Sequence, residues 1–186
     1  MLSDDGLLML RQALLFGHLL AFAMAISTVL RTDLALWRAR GVDAAHIDAA
    51  ASLLKPVLIA LWASGLALVA CDAGAVGAGW RVSDKLAAKL LVVLALTLNG
   101  VALHTLALPA LRRHGSTHGI GWLPLLLGAT STASWLFASF VGVSRVLAPL
   151  LDLREYLLLY AAALALALAV TALAVRPHLA ARASGG

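Results

Sequence analysis

Residues 85–106 read KLAAKLLVVLALTLNGVALHTL, twenty-two positions in which two lysines, two threonines, one asparagine and one histidine interrupt an aliphatic run. An α-helix needs about 20 mostly apolar residues to cross the hydrocarbon core of a bilayer. The stretch therefore reads as a membrane span that carries its own polar groups. Charged side chains at such depth are expensive, and they mark functional sites unless a partner compensates them. Each helical residue turns about 100°. Taking Lys89 as zero, Lys85 falls at about −40°, Thr97 at about +80°, Asn99 at about −80°, Gly100 at about +20° and His104 at about +60°. All of them share one arc of about 160°. Apart from Thr105, the remaining face is Leu, Val and Ala, as in a helix with one side to lipid and the other to an interior or a cavity.

Four further stretches have the same length and character. The spans are about 7–30, 50–71, 86–110, 120–146 and 156–175, separated by segments rich in Arg, Asp, Gly or Pro. The chain has 186 residues, 62% of them apolar and only 12% charged, and its mean hydropathy is +0.96. Soluble domains are about 45–50% apolar and about 25% charged. The expected fold is an all-α, five-transmembrane-helix bundle, a single domain over 1–186 with the lipid bilayer as its solvent. The acidic start, Met1 to Asp5, lacks the basic region of a secretory signal, so the first stretch is expected to be retained as a helix. Loop charges set an orientation. Eight Lys/Arg against three acidic residues fall on one side and six against six on the other. The positive-inside rule then puts the N-terminus outside and the C-terminus in the cytoplasm, in a bacterial inner membrane. The net charge of +5 sits in short loops, with no basic run interleaved with aromatics, which excludes nucleic-acid binding. The single cysteine, Cys71, rules out an internal disulfide or a multi-cysteine metal site. It reads as a small apolar filler at a helix end.

In the first span Arg11, His18 and Ala25 are seven apart and share a face, with Thr28 about 80° from it. His18 lies near the middle of the span. It reads either as a neutral imidazole bonded to a Ser, Thr or Asn of a neighbouring helix or as an axial ligand to haem iron. His104 is the second candidate ligand, set deeper towards the cytoplasmic side. His46, His114, His118 and His178 read as solvated loop residues. In the fourth span Ser134, Ala138 and Gly142 recur every four residues, which predicts a close helix–helix seam. Trp135 there needs a partner for its indole N–H. The fifth span is almost featureless Leu and Ala, a packing or lipid-facing helix.

Arg11, Lys85, Lys89 and Arg145 are expected to gather at the outer ends of the helices. One reading gives them a buried anion: a haem propionate, a lipid phosphate or a substrate carboxylate. The other has Asp84, Asp152, Glu155 and solvent neutralise them, with Lys85 snorkelling outwards.

Two short motifs carry a resemblance. Lys85-Leu-Ala-Ala-Lys89 with its Leu/Val run, and Gly17-His18-Leu19-Leu20 followed by small residues and Arg31, resemble the third and first helices of a membrane superfamily. That superfamily includes the HemJ-type protoporphyrinogen oxidases and the CopD-like copper-resistance proteins. The resemblance covers the first three spans. It departs from the pattern in Phe22 to Ala25, where a Trp and a Gly are expected, and in having five spans rather than four. It implies haem b binding at His18 and Lys89. Copper handling is disfavoured, because only three Met are present and no Met/His cluster occurs.

Together these readings give a b-type haem-binding redox protein. His18, with His104 as second candidate, would ligate the metal. Lys89, Arg11, Asn99 and Arg145 would line the cofactor. A quinone or other electron partner would approach from the bilayer, and the chain would stand as a homo-oligomer or a membrane-complex subunit. Whether it is an enzyme is left open. The competing reading is a non-enzymatic accessory subunit or small transporter whose polar faces bind a partner or a small anion.

Overall fold

The structure, a computed structural model, describes residues 4–38, 44–109 and 122–183. Among these, helices account for nearly everything: α1 Asp4–Arg38, α2 Ala44–Val76, α3 Asp84–Ala102, α4 Trp122–Val143 and α5 Leu153–Ala183, with a 3-10 turn at Gly77–Gly79 and a π-helical turn at Leu103–Ala107 continuing α3. Five of these helices are long and apolar enough to cross a membrane. Their outward faces carry large aliphatic side chains, among them Leu98, Leu166 and Leu173. Water would penalise that surface, and lipid accepts it.

Several boundaries differ from those expected. α1 is 35 residues long, about 52 Å at 1.5 Å per residue, against a hydrocarbon core of about 30 Å. It therefore runs past the apolar stretch and takes in Arg31, Thr32 and Asp33, which were expected to form a loop. α2 likewise includes the backbone of His46 at one end and Asp72 at the other. Its Ala-rich entry favours helix whether or not lipid surrounds it. The backbone at His178 is helical too, within α5. Hydropathy marks where a helix meets lipid, and here the backbone ladder continues beyond it. His114 and His118 lie outside the described residues. At the other boundary α4 stops at Val143, before Arg145. Residues 144–151 make tight turns, with Arg145 N–H bonded to Val143 O and Leu150 N–H to Leu147 O. Pro149 disfavours helical conformation at Ala148.

Contacts group the chain into two compact units, Met1–Ala35 with Ala45–Val82 and Leu36–Ala44 with Ser83–Gly186. The first contains the α1–α2 hairpin. Its antiparallel register is fixed by two polar pairs, Arg11 with Asp72 and His18 with Ser64. Ala25 and Val29 of α1, and Ile47, Val57 and Leu61 of α2, are its buried apolar residues. Thus the face on which Arg11, His18 and Ala25 align is one that meets α2.

The second unit packs α3, α4 and α5. Its core is Ala88 and Val92 of α3, Phe137 and Val141 of α4 and Tyr156 of α5, with Tyr160 and Ala163 against it. The buried side of α3 is Ala88, Val92, Leu96 and Asn99, centred about −60° from Lys89. Asn99 Nδ2 donates to Leu127 O of α4 at 3.0 Å. Ser134 Oγ donates to Thr130 O at 2.6 Å and lies 2.7 Å from Tyr160 Oη. Its one proton is thus used on the carbonyl, so the tyrosine hydroxyl is the donor between helices. Phe137 and Tyr160 stack tilted, centroids 5.2 Å apart. The small-residue seam on α4 is realised at Ser134 and Ala138 only. Gly142 is exposed, and a Cβ there would meet nothing. α5 is more than a featureless helix, since its two tyrosines carry this core.

Two substitutions test the packing by denaturation in mixed micelles. Ala88→Leu, at a fully buried site, is expected to destabilise the protein by about 1–3 kcal/mol through overpacking. Tyr160→Phe, which removes one interhelical hydrogen bond, is expected to cost about 0.6 kcal/mol and no more than about 1.7. An unchanged midpoint for Ala88→Leu would contradict the three-helix core.

Candidate functional site

The polar residues singled out in the sequence fall into both units. In the hairpin, His18 is half-buried, and its Nδ1 lies 2.8 Å from Ser64 Oγ. Ser64 Oγ in turn donates to Ala60 O at 2.6 Å. A hydroxyl has one proton. With that proton on the carbonyl, Ser64 accepts, and Nδ1–H of His18 is the donor. A neutral imidazole that donates there carries its lone pair on Nε2. The ring also rests beside Gly65, where an added Cβ would come within 3.5 Å of Cε1. A serine followed by a glycine near the middle of an apolar span was the signal for this contact, and sequence reasoning passed it over.

Arg11 is engaged elsewhere in the hairpin. Its Nε donates to Asp72 Oδ1 at 2.7 Å, both side chains about half exposed. Asp72 was expected in a loop, where it would not have been matched to Arg11. Helical continuation of α2 to Val76 brings the two together.

Lys89, Asn99, Arg145 and His104 belong to the second unit. Lys85, at about −40°, lies within the buried strip of α3, and Lys89 lies at its edge. Asn99 is buried, with its amide used on Leu127 O. That makes it a clamp between α3 and α4. Thr97 lies about 140° from the centre of the strip and donates to Val93 O of its own helix. His104, about 120° away, sits half-buried in the π turn, where Leu108 N–H bonds Leu103 O. The expected polar arc is thus divided. Asn99 is buried on the strip, Lys85 and Lys89 lie on or beside it, and Thr97 lies away from it.

Arg145 stands in the turn after α4, at the end of the unit where α3 and α5 begin. Of the acids expected to neutralise the cations there, Asp152 and Glu155 do other work. Asp152 Oδ1 accepts from Glu155 N–H at 2.8 Å and Glu155 Oε2 from Asp152 N–H at 2.9 Å. This reciprocal capping box starts α5. Among the described residues no carboxylate is in ion-pair range of Lys85, Lys89 or Arg145. Nearby, Tyr156 is fully buried and its hydroxyl has no hydrogen-bond partner among the described residues. Tyr156 and Tyr160 were also missed in the sequence. Two phenols one turn apart are the only polar tips in an otherwise aliphatic stretch from Tyr156 to Val170.

Among the described residues no three His, Cys, Asp or Glu side chains are grouped so as to hold a bare metal ion. A metal carried in a macrocycle asks less of the protein, since one axial imidazole suffices. His18 fits that donor set through its inferred tautomer. No protein-family model, curated protein or solved structure matches the chain.

Proposed function

We propose that the protein is an integral membrane b-type haem-binding redox protein in which Nε2 of His18 is the axial ligand. The observation that carries this reading is the Ser64 contact. Histidines that ligate metals almost always donate their other ring N–H to a fixed acceptor, which orients the ring and raises its basicity. Here Ser64 is that acceptor, and its own proton is held by Ala60 O. Haem, when bound, supplies one-electron chemistry at the iron. The chain's part is to hold the imidazole. Ser64 keeps the proton on Nδ1, and the buried Ala25, Val57 and Leu61 of the same hairpin exclude water from the helix contact. Arg11, paired with Asp72, registers the hairpin in this reading.

The ligand set needs only the first unit. The setting is a bacterial inner membrane with the N-terminus outside, supported by the asymmetry of the loop charges. A lipid-soluble carrier such as a quinone is the electron partner suited to a ligand on a membrane helix.

Protein purified after expression with ample haem supply is expected to show a Soret band, and His18→Ala to abolish it. Ser64→Ala is expected to weaken haem affinity by about 10- to 100-fold while leaving some bound. Colourless wild-type protein, or a Soret band untouched by His18→Ala, would refute the assignment.

A further inference from the structure

Three cations gather at one end of the second unit. Lys85 and Lys89 are one turn apart on α3, and like charges at that spacing repel. Lys85 also lies near enough to Arg145 for their charges to oppose each other, as do those of Lys89 and Lys85. The starts of α3 and α5 lie at the same end, and helix N-termini add partial positive charge. Their own caps, Ser83 on α3 and Asp152 with Glu155 on α5, are turned to backbone N–H groups. The fold thus gathers three cations at an end where Asp84, Asp152 and Glu155 also stand, yet none of those carboxylates is in ion-pair range of Lys85, Lys89 or Arg145. Tyr156, in the same buried cluster as Ala88, adds a hydroxyl without a protein partner among the described residues. Such a group costs about 1–3 kcal/mol unless something bonds it.

The surroundings say what kind of anion fits. Beside Arg145 the surface is aliphatic: Val143 is 80% exposed, Val146 81% and Leu150 69%. A soluble anion has no use for such a flank, whereas an amphiphile does. Long lysine side chains at a helix end carry their ammonium groups towards the headgroup layer, and basic sites between membrane helices suit anionic lipid headgroups.

We propose that Lys85, Lys89 and Arg145 form a binding site for the phosphate of an anionic phospholipid, whose acyl chains lie along the exposed aliphatic side chains around the α4–α5 turn. The site is internal to the second unit and independent of haem.

The test uses the full chain, delipidated in neutral detergent. It is titrated with phosphatidylglycerol, with phosphatidylcholine of the same acyl chains, and with inorganic phosphate. Binding is read by native mass spectrometry and by the shift of the unfolding midpoint. Wild type is expected to bind phosphatidylglycerol about tenfold or more tighter than phosphatidylcholine, with inorganic phosphate giving no shift at equal concentration. Each membrane-surface cation contributes about 1 kcal/mol, or about fivefold. Lys85→Met and Arg145→Met should therefore each lower that preference about fivefold, Lys85→Arg should retain it, and Lys55→Met in the other unit should leave it intact. Equal binding of the two lipids, a preference that survives both Met variants, or an equal response to inorganic phosphate would each overturn the proposal. Lys85→Arg guards against misreading a folding defect as lost binding.

Discussion

A polar side chain that cannot reach water must find its partner inside the protein, because lipid offers none. That constraint organises this molecule. Most hydroxyls meet it locally: Thr28, Thr32, Thr97, Thr105 and Ser139 each donate to a carbonyl one turn back on their own helix. Such bonds cost no packing and join nothing. Four contacts cross between helices instead, and they define each unit. His18 with Ser64 and Arg11 with Asp72 register the first hairpin; Asn99 with Leu127 and Tyr160 with Ser134 register the three-helix unit.

The same accounting separates structural polar groups from those available for chemistry. Asn99 and Ser134 are spent on packing. Ser64 donates its hydroxyl proton in a hydrogen bond to Ala60 O of its own helix, which leaves its oxygen to accept from His18. Lys85, Lys89 and Arg145 stand at the opposite extreme, with their charges unmatched among the described residues. The two groups lie in different units, one within a helix hairpin and the other at the end of the three-helix unit.

Much of this fold was legible in the sequence, because hydrophobic runs of about twenty residues have few alternative readings. The five spans followed from that alone. Helix ends were less legible. Asp33, His46 and Asp72 look like loop residues by polarity, yet helix continues through their backbones, since alanine-rich ends sustain the ladder outside the apolar core. The break at Arg145 went the other way, with the chain leaving helix before Pro149. Helical rotation correctly grouped Arg11, His18 and Ala25, but it did not say which neighbour they meet; for Arg11 and His18 that partner is α2. The rotation on α3 grouped Thr97 with Lys89, although a threonine can satisfy itself within its own helix and needs no interior face. Tyr156 and Tyr160 were hidden for a different reason. Their rings count as apolar, and only packing reveals that one hydroxyl is paired and the other has no partner among the described residues.

The claim on which the functional reading turns is the position of one proton in the membrane. Nitrogen-15 NMR of histidine-labelled, haem-free protein in micelles, with the His18→Ala variant for assignment, measures it directly. A neutral ring protonated on Nδ1, with a lone pair on Nε2, is the predicted state of His18. A ring protonated on Nε2 instead would contradict the account, because the nitrogen assigned to iron would then carry the proton.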